Sequence, residues 1–588
     1  MDMINLTIDG QVVQVEKGST ILDAAKKLGI EIPTLCHLHM HEIGLNNQPA
    51  SCRVCVVEEE KRRNLAPACA TPVAEGMVVH TNTPKVLEER RTVLELMLSD
   101  HPKDCLTCAK AGECDLQKVS EKMGIRKIRV TGTAQSTYPL DTSVSIVRDM
   151  NKCIMCRRCE TVCNQVQTVG ALSGVNRGFE AVVSTSFQVP LAESVCTYCG
   201  QCVQVCPVGA LTSNTSAVDR LMADLADPDK VVVVNTAPAV RAALGEEFGY
   251  PAGTSVTGKM VAALRKIGFD YVFDTDFAAD MTIMEEATEL AERLQKYIKG
   301  EPVALPLMTS CCPAWVNFIE TQYPEYLDLP SSAKSPQQMF GSIAKSYFAE
   351  KLGVQREQLV VVSIMPCIAK KYEAQREEFS VDANPDIDYS ISTHELAGLI
   401  KQFNFDLKNL EEDDFDDPLG DSTGAGVIFG KTGGVMEAAL RTAYEWLTGE
   451  TLEKVEFDDI RSTSSGIRKA AVQIGDLTIN VAVASGLGNA RKIMEEIKAG
   501  NPDNLHAVEI MACPGGCVNG GGQPYHHGDF SVIRKRQAAL CGEDVEKKIR
   551  KSHENPFVKK LYADYMGEPG HGKAHELLHT TYAAKEKV

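Results

Sequence analysis

The chain has 588 residues, more than one hydrophobic core supports, so several domains are expected. Its formal net charge of −18 argues against nucleic acid and anionic membranes as partners, because both would repel it. No apolar run approaches the ~18 residues of a membrane span, and the first residues contain no export signal, so a cytoplasmic protein is expected. In that reducing compartment, 21 cysteines favour metal binding over disulfides.

Residues 1–80 predict a small module that begins with a hairpin and a helix. Residues 4–8 and 12–15 flank the turn signal Asp9-Gly10, and Thr20 with Asp23 predicts a capped helix start. Four cysteines accompany these elements: Cys36, Cys52, Cys55 and Cys69. The arrangement resembles the β-grasp fold of plant-type ferredoxins, which implies a 2Fe–2S cluster, although four thiolates also suit zinc. The gap from Cys36 to Cys52 is longer than in those ferredoxins and predicts a loop with its own shape.

Residues 81–140 contain one histidine and three cysteines at close spacing. They are His101, Cys105, Cys108 and Cys114. Taken alone, the group also fits a zinc site, and a histidine at a helix end or surface is the ordinary alternative for His101. The spacing resembles the 4Fe–4S site with mixed His/Cys ligation that iron-only hydrogenases share with the largest peripheral-arm subunit of respiratory complex I.

Residues 141–215 contain a repeat. Cysteines recur with the spacing x2, x2, x3 in two runs: Cys153, Cys156, Cys159 and Cys163, then Cys196, Cys199, Cys202 and Cys206. This is the two-cluster bacterial ferredoxin pattern, in which the fourth cysteine of each run ligates the other cluster. We therefore expect one 4Fe–4S cluster on Cys153, Cys156, Cys159 and Cys206, and a second on Cys196, Cys199, Cys202 and Cys163.

Residues 216–588 change to short apolar strands between helical segments, a pattern typical of α/β layers with mainly parallel strands. Strands are predicted at 231–234, 359–364, 480–484 and 507–511, and helices at 239–247, 280–297, 370–378 and 488–499. In such sheets, chemistry tends to lie at the carboxyl ends of strands. Cys367 and Cys513 follow two of these ends. The whole chain is thus predicted as multidomain α+β with a large α/β domain at its end.

Adjacent cysteines stand at Cys311 and Cys312. Neighbouring residues do not readily close a disulfide with each other, so one thiolate can bind metal while the other stays free. Spacing alone does not say which one binds. The other thiols in this half with metal-ligand context are Cys367, Cys513 and Cys517, and we predict a single four-cysteine metal site.

Three segments, 309–315, 365–373 and 509–523, resemble the FeFe (iron-only) hydrogenases, and with the upstream cysteine groups the likeness spans nearly the whole chain. It is strongest to the large catalytic subunit of multimeric NAD(P)-linked, often electron-bifurcating, members. The resemblance implies reversible oxidation of H2 at an H-cluster. That cofactor is a 4Fe–4S cube joined through a cysteine sulfur to a two-iron unit with CO, cyanide and a dithiolate bridge.

The resemblance also implies residue roles. Cys312, Cys367, Cys513 and Cys517 match the cube ligands, Cys517 being the bridge to the two-iron unit. Cys311 matches the thiol that passes protons, and Lys370 the lysine that hydrogen-bonds a cyanide. Residues that match the pocket lining are Pro238, Gln337, Met365, Phe429 and Met511. Residues that match the proton path are Glu286, Ser331, Glu289 and Arg293; from the sequence alone, the charged residues of the helix 280–297 equally fit a surface salt-bridge ladder.

Two other functions compete with the hydrogenase. A non-catalytic electron-transfer subunit like that of complex I would give the cysteines after residue 300 no role. A hydrogenase-like iron–sulfur assembly protein would not explain the cysteine modules in residues 1–80 and 81–140. We find no convincing NAD or flavin site, so NAD(P) linkage implies a separate flavoprotein subunit. A small thioredoxin-like 2Fe–2S subunit would accompany it, and soluble ferredoxin is the other expected partner. The implied cofactors are one 2Fe–2S cluster, three accessory 4Fe–4S clusters and the H-cluster.

Overall fold

The computed structural model describes residues 2–38, 50–130, 137–461, 466–475, 477–527 and 529–587, so most of the predicted loop between Cys36 and Cys52 lies outside the described residues. The protein is a mixed α/β molecule with several small cysteine-rich units before a larger α/β unit. Over the described ranges, no helix has both the length and the apolar character that crossing a bilayer requires.

The first unit contains the predicted hairpin and capped helix. Its elements are β1 (Met3–Ile8), β2 (Gln11–Glu16), α1 (Ile21–Lys27), β3 (Val56–Glu59), β4 (Ala66–Pro67) and β5 (Met77–His80). The strands form one sheet in the order β2-β1-β5-β3-β4, with β1 and β2 antiparallel and β1 and β5 parallel. Thr20 and Asp23 close the capping box, since each side chain accepts a hydrogen bond from the other's backbone N–H, at 3.2 and 2.9 Å.

Short elements connect the following cysteines. They are α2 (Pro84–Asp100), α3 (Asp115–Lys122), β6 (Asp141–Thr142), β7 (Ile146–Arg148), α4 (Arg158–Thr161), β8 (Ser173–Val175), β9 (Val182–Ser184), α5 (Gln201–Val205), β10 (Leu211–Ser213) and α6 (Ser216–Leu225). The strands form two small antiparallel sheets, β10-β7-β6 and β8-β9, whose strands lie before, between and after the two ferredoxin-like cysteine runs in the chain.

The large unit contains two four-stranded sheets. Its elements are β11 (Val231–Thr236), α7 (Pro238–Arg241), α8 (Thr257–Ile267), β12 (Tyr271–Asp274), α9 (Thr275–Ile298), β13 (Leu307–Met308), α10 (Pro313–Gln322), α11 (Pro336–Ile343), α12 (Ala349–Leu352), β14 (Leu359–Met365), α13 (Ala369–Glu373), β15 (Ser380–Val381), β16 (Asn384–Pro385), β17 (Tyr389–Ser392), α14 (Thr393–Gln402), α15 (Gly424–Val427), α16 (Gly434–Thr448), β18 (Ile467–Ile474), β19 (Leu477–Ser485), α17 (Leu487–Lys498) and β20 (Ala507–Met511).

Parallel pairing dominates this unit, as predicted. The sheet β12-β11-β14-β17 is parallel throughout, and in β13-β20-β19-β18 only the β18–β19 pair is antiparallel. The four strands predicted from the sequence are the central strands of these sheets: β11, β14, β19 and β20. They are almost wholly buried, so their sequences lack the alternation of apolar and polar residues that marks a half-exposed strand. The long helix α9 is buried from Thr275 to Ala287 and packs against α11 and α16.

Two predicted helices are shorter than their apolar patterns suggested. The segment 239–247 forms α7 and then a separate 3₁₀ turn, Leu244–Phe248. The segment 370–378 ends as helix at Glu373. Shortly after it, the half-buried Arg376 forms an ion pair with the buried Glu320 of α10 at 2.6 Å. Tertiary contacts of this kind outweigh helix propensity, which amounts to less than about 1 kcal/mol per residue.

The chain ends with α18 (Phe530–Glu546), α19 (Pro556–Leu561) and α20 (Gly572–Leu578) on the surface of the large unit. Buried charge holds this segment in place. Asp544 of α18 accepts hydrogen bonds from Arg441 of α16 at 2.9 Å, and both side chains are fully buried. The last residues return to the loop between α10 and α11, where His579 forms an isolated antiparallel bridge with Ala333.

Candidate active site and its cluster chain

A cavity of about 70 Å³ lies at the carboxyl ends of β11 and β14, where the parallel-sheet rule predicts chemistry. Its walls include four of the five residues predicted to line the pocket: Pro238, Gln337, Met365 and Phe429. The fifth, Met511, packs in one buried cluster with Phe429 and the half-buried Cys311 and Cys517. The remaining walls are Ala237, Ala239, Thr275, Ala279, Cys311, Pro336, Pro366, Cys367, Lys370, Gly430 and Cys517.

Four thiols from distant parts of the chain converge beside this cavity. Cys312 begins α10, Cys367 follows β14, Cys513 follows β20, and Cys517 begins a 3₁₀ turn. Burial raises the pKa of each thiol, and the charge of Cys312 acts on the other three. All 21 cysteines are free of disulfides. Four free, converging thiols fit a 4Fe–4S cube, and Cys311 is left to face the cavity.

Lys370 is anchored at the cavity wall. Its Nζ donates to the Glu373 carboxylate at 2.8 Å and to the carbonyl oxygen of Cys311 at 3.1 Å. Gln337 and Ser335 donate to the same carboxylate at 3.0 and 2.9 Å. Glu373 therefore orients the lysine and the glutamine together. A buried ammonium held in this way presents a fixed point charge to the cavity.

The four predicted proton-path residues lie close together next to Cys311. The Glu286 carboxylate accepts the backbone N–H of Ser310 at 3.4 Å and interacts electrostatically with Cys311. Ser331 donates its hydroxyl to Glu289 at 2.7 Å, and Arg293 donates to the other oxygen of Glu289 at 2.7 Å. Glu286 and Glu289 also interact through their charges. Glu286 is thus the member of this group that lies beside Cys311, and Glu289 is the residue that the other three share.

Burial sets the chemistry of Glu286. The residue is 4% exposed, and burial raises the pKa of its carboxyl to about 8, only partly opposed by the N–H of Ser310. Glu289 and Arg293 retain 16% and 15% of their side-chain exposure. A carboxyl with a pKa near neutrality gains and loses protons readily, as a relay residue must.

The two ferredoxin-like runs adopt the same backbone geometry. Met155 and Tyr198, at equivalent positions, have φ of 51° and 58°, and Arg157 and Gly200 have φ of 60° and 72°. In each run the residue with the first positive φ donates its N–H to the leading cysteine at 3.4 Å. A repeated local fold is what two equivalent clusters require.

The runs also bring together the predicted crossed sets. One cavity is lined by Cys153, Cys156, Cys159 and Cys206, which are three cysteines of the first run and the last of the second. The thiol of Cys202 in turn feels the charges of Cys199, Cys196 and Cys163. Both sets fit a 4Fe–4S cluster by their donor chemistry.

The second set lies against the four-cysteine site of the large unit. A Cβ on Gly200 would meet Ile368 and Gly521 at 2.7 to 2.8 Å, so only glycines allow this approach. Gln201 donates to the carbonyl oxygen of Asn519 at 2.7 Å. The charge of Cys312 reaches Cys199. Within the triple glycine 520–522, Gly521 is therefore the residue that packs on the ferredoxin-like unit, whereas Gly520 and Gly522 pack on Pro366 of the large unit.

The two remaining groups also fit clusters. Cys36, Cys52, Cys55 and Cys69 are all buried, with Cys55 Sγ 3.3 Å from Cys69 Sγ. His101, Cys105, Cys108 and Cys114 line a cavity of about 540 Å³. Within it, the buried Nδ1 of His101 has no hydrogen-bond partner among the described residues. A histidine nitrogen left in this state suits a metal ligand.

Comparison with known proteins agrees with this geometry. The family described as "Iron only hydrogenase large subunit, C-terminal domain" matches residues 230–521. A 2Fe-2S iron-sulfur cluster binding domain matches 1–84, the NADH-ubiquinone oxidoreductase-G iron-sulfur binding region matches 90–129, and the ferredoxin-like domain of NADH-quinone oxidoreductase subunit 3 matches 143–212. The iron hydrogenase small subunit model matches 530–585.

Curated relatives span the chain from end to end. The NADP-reducing hydrogenase subunit HndD of Solidesulfovibrio fructosivorans is 60% identical over 100% of both chains. The chain belongs to the iron-only hydrogenase family. Iron hydrogenase 1 of Clostridium pasteurianum is 39% identical to this hydrogenase, over 99% of this chain and 100% of the relative. A solved apo variant of the HydA1 [FeFe]-hydrogenase from Chlamydomonas reinhardtii is 42% identical, covers 63% of this chain and 99% of its own, and gives a TM-score of 0.56.

Several residues that build this hydrogenase's site were not found from the sequence. Tyr582 donates to the carbonyl oxygen of Ser331 at 2.6 Å. His579 contacts Ser332 at 2.8 Å and the buried Glu285 at 2.9 Å. The side chain of His579 is only 5% exposed. Both residues come from the segment that matches the small-subunit model, and only that match could have pointed to them.

Proposed function

We propose that the chain is the catalytic subunit of a multimeric FeFe hydrogenase that oxidises H2 reversibly to protons and electrons. The observation that carries this proposal is the cavity at the ends of β11 and β14. The Cys311 thiol and the Lys370 ammonium line this cavity. The thiols of the four-cysteine set converge beside it. The two competing functions are a non-catalytic electron-transfer subunit and an iron–sulfur assembly protein. Neither gives a role to a free Cys311 or to the proton-path residues next to it.

Cys312, Cys367, Cys513 and Cys517 would hold the cube of the H-cluster, with Cys517 as the bridge to the two-iron unit. When bound, that unit supplies the metal site at which the H–H bond is made or cleaved. Lys370 would donate from its anchored position to a cyanide ligand. Met365, Phe429, Met511, Pro238 and Gln337 would exclude water, which strengthens the remaining polar contacts in a low dielectric.

Protons would travel between the cavity and the surface through Cys311, Glu286, Ser331, Glu289 and Arg293. This path is supported by the interaction of Glu286 with Cys311 and Glu289, and by the hydrogen bonds that Ser331 and Arg293 donate to Glu289. The Glu286 carboxyl is buried and next to Cys311, so it would exchange a proton with that thiol. Arg293, partly exposed and bonded to carbonyl oxygens at 3.0 and 3.1 Å, would hold Glu289 at the outer end.

Electrons would enter or leave through the front of the chain. We infer three accessory 4Fe–4S clusters and one 2Fe–2S cluster, in domains spanning 1–80, 81–140 and 141–215, ahead of the catalytic domain 216–588. The cluster on Cys163, Cys196, Cys199 and Cys202 would be next to the H-cluster, since Cys199 feels the charge of Cys312. The cluster on Cys153, Cys156, Cys159 and Cys206 would follow outward.

Partners would dock where the outer clusters reach the surface. Cys105 is exposed, and the adjacent Leu106 is 100% exposed. The relative HndD is named as a subunit of an NADP-reducing hydrogenase. We therefore propose a flavoprotein NAD(P) subunit and a small thioredoxin-like 2Fe–2S subunit as partners, with ferredoxin as a second electron partner, in the cytoplasm.

Infrared spectroscopy of the matured protein tests the proposal. We expect stretching bands of metal-bound CO and cyanide together with H2 turnover by the isolated chain and an artificial electron carrier. A protein with full iron content but neither bands nor turnover would overturn the catalytic assignment. Reduction of NAD(P)⁺ by H2 should require the flavoprotein partner; if the isolated chain alone performs it, the proposed division between subunits is wrong.

A further inference from the structure

A buried lysine lies between two of the front cysteine sets and forms no ion pair with any residue that the structure describes. Lys110 is 1% exposed, and its Nζ has no hydrogen-bond partner among the described residues. It belongs to the loop between Cys108 and Cys114 and lines the cavity of the His101 set. Leaving an ammonium buried and unpaired costs several kcal/mol, so a compensating negative charge is expected nearby.

The nearest carboxylates do not serve as that partner. Glu113 faces His394 at 3.8 Å, and Asp115 pairs with Arg158 at 3.2 Å. Neither forms an ion pair with Lys110 among the described contacts. The charges of Cys206, Glu113, Asp115 and Cys114 all act on its ammonium, so one cysteine of each neighbouring set lies within its electrostatic reach. Cys114 belongs to the His101 set and Cys206 to the first ferredoxin-like set.

The neighbouring structure holds Lys110 at this junction. A Cβ on Gly209, three residues after Cys206, would lie 2.6 Å from Cys108 Sγ and 3.6 Å from Lys110 Cβ, so the two cysteine units pack directly on each other here. Tyr525 of the catalytic unit covers the ammonium, with Nζ 2.8 Å from its ring centroid. The face of an aromatic ring stabilises a cation, which keeps the charge in place without neutralising it.

We propose that Lys110 is a positioning charge that raises the reduction potentials of the two clusters between which it lies. The inference rests on the proposed ligation. When one electron passes from one 4Fe–4S cluster to the other, no bond forms or breaks. The cluster that accepts the electron becomes one charge more negative. A fixed positive charge stabilises that reduced form more than the oxidised form.

Substitutions that remove the charge test this role. Lys110→Met and Lys110→Gln are neutral, whereas Lys110→Arg retains the charge. Lys103→Met is the matched control, because Lys103 lines the same cavity but is exposed, where water and salt screen its charge. The measurement is a potentiometric titration of the matured, anaerobic protein, followed by electron paramagnetic resonance of the reduced clusters.

We expect the neutral variants to shift the reduction equilibrium of at least one of the two clusters about tenfold toward the oxidised form, which is about 59 mV for a one-electron couple. Lys110→Arg and Lys103→Met should stay within about threefold of wild type.

Unchanged potentials in Lys110→Met at full iron content would overturn the inference. So would loss of clusters from both neutral variants with retention in Lys110→Arg, since the charge would then act in assembly. Absence of 4Fe–4S signals from the wild type would instead refute the proposed ligation.

Discussion

Tyr582 donates its hydroxyl to the carbonyl oxygen of Ser331 at 2.6 Å. The hydroxyl of Ser331 donates in turn to Glu289 at 2.7 Å. A residue of the C-terminal segment therefore fixes the backbone that presents one member of the proposed proton path. The segment that matches the small-subunit model thus builds part of the site as well as covering the large unit.

Tyr582→Phe should slow turnover about fivefold, because a lost hydrogen bond of about 1 kcal/mol lets Ser331 leave its position beside Glu289. The measurement is H2 evolution with an artificial electron donor at equal iron content. Tyr565→Phe is the control, since its hydroxyl bonds the exposed Glu350 at 2.9 Å. Equal rates in the two variants would show that Tyr582 does not position the path.

Cys311→Ala should retain all clusters and lose most activity, because the thiol lies at the cavity wall but outside the four-cysteine set. Removing a general acid–base group typically costs 10²- to 10⁴-fold in rate, and we expect a loss in that range. Iron content and H2 turnover are measured together. Cys541→Ala removes the half-buried thiol of α18 and should leave both unchanged. A Cys311→Ala protein with near wild-type turnover would refute the relay.

Local signals in the sequence were sufficient for much of the fold. The capping box at Thr20 forms because its partners are three residues apart, and the buried strand 359–364 is recognisable from its composition alone. The cysteine spacings predicted sets that the structure brings together, including the crossed set completed by Cys206. These features depend on near neighbours or on a strict spacing.

Features set by distant contacts were not predictable in this way. The predicted helix 239–247 breaks into α7 and a 3₁₀ turn, and nothing in its apolar pattern marks the break. The charged residues of the helix 280–297 fitted a ladder of surface salt bridges equally well. Glu286 is nevertheless only 4% exposed, because its helix α9 packs against α11 and α16 and its carboxylate accepts the N–H of Ser310. Tyr582 lies 251 residues from its partner, so no sequence pattern could relate them.

The carboxyl of Glu286 should titrate near pH 8, since burial raises its pKa to about 8. The group is then neutral below that pH and ionised above it. A free carboxyl loses its proton near pH 4.5, so the group's contribution to stability declines as pH rises from about 4.5 to about 8 and is constant above that range. The infrared band of a neutral carboxyl, taken as the difference between wild type and Glu286→Gln, should disappear with that midpoint.

The same substitution should reduce H2 turnover by at least about 10²-fold, because an amide cannot exchange a proton with Cys311. Glu292→Gln, on the exposed side of the same helix, is the matched control and should keep full activity. A Glu286→Gln enzyme that retains wild-type turnover would mean that protons reach Cys311 by another route.

Lys370→Met should cost about 3 to 5 kcal/mol of stability, because it leaves the buried Glu373 carboxylate without its cation. The double variant Lys370→Met, Glu373→Met removes both charges and should recover much of that stability, but not the turnover that depends on an ammonium at the cavity. Lys371→Met provides the comparison, since Lys371 pairs with the buried Glu395 at 2.6 Å and does not line the cavity. Unfolding midpoints and H2 turnover are measured for all three. Equal losses of turnover in Lys370→Met and Lys371→Met would show that Lys370 acts through stability alone.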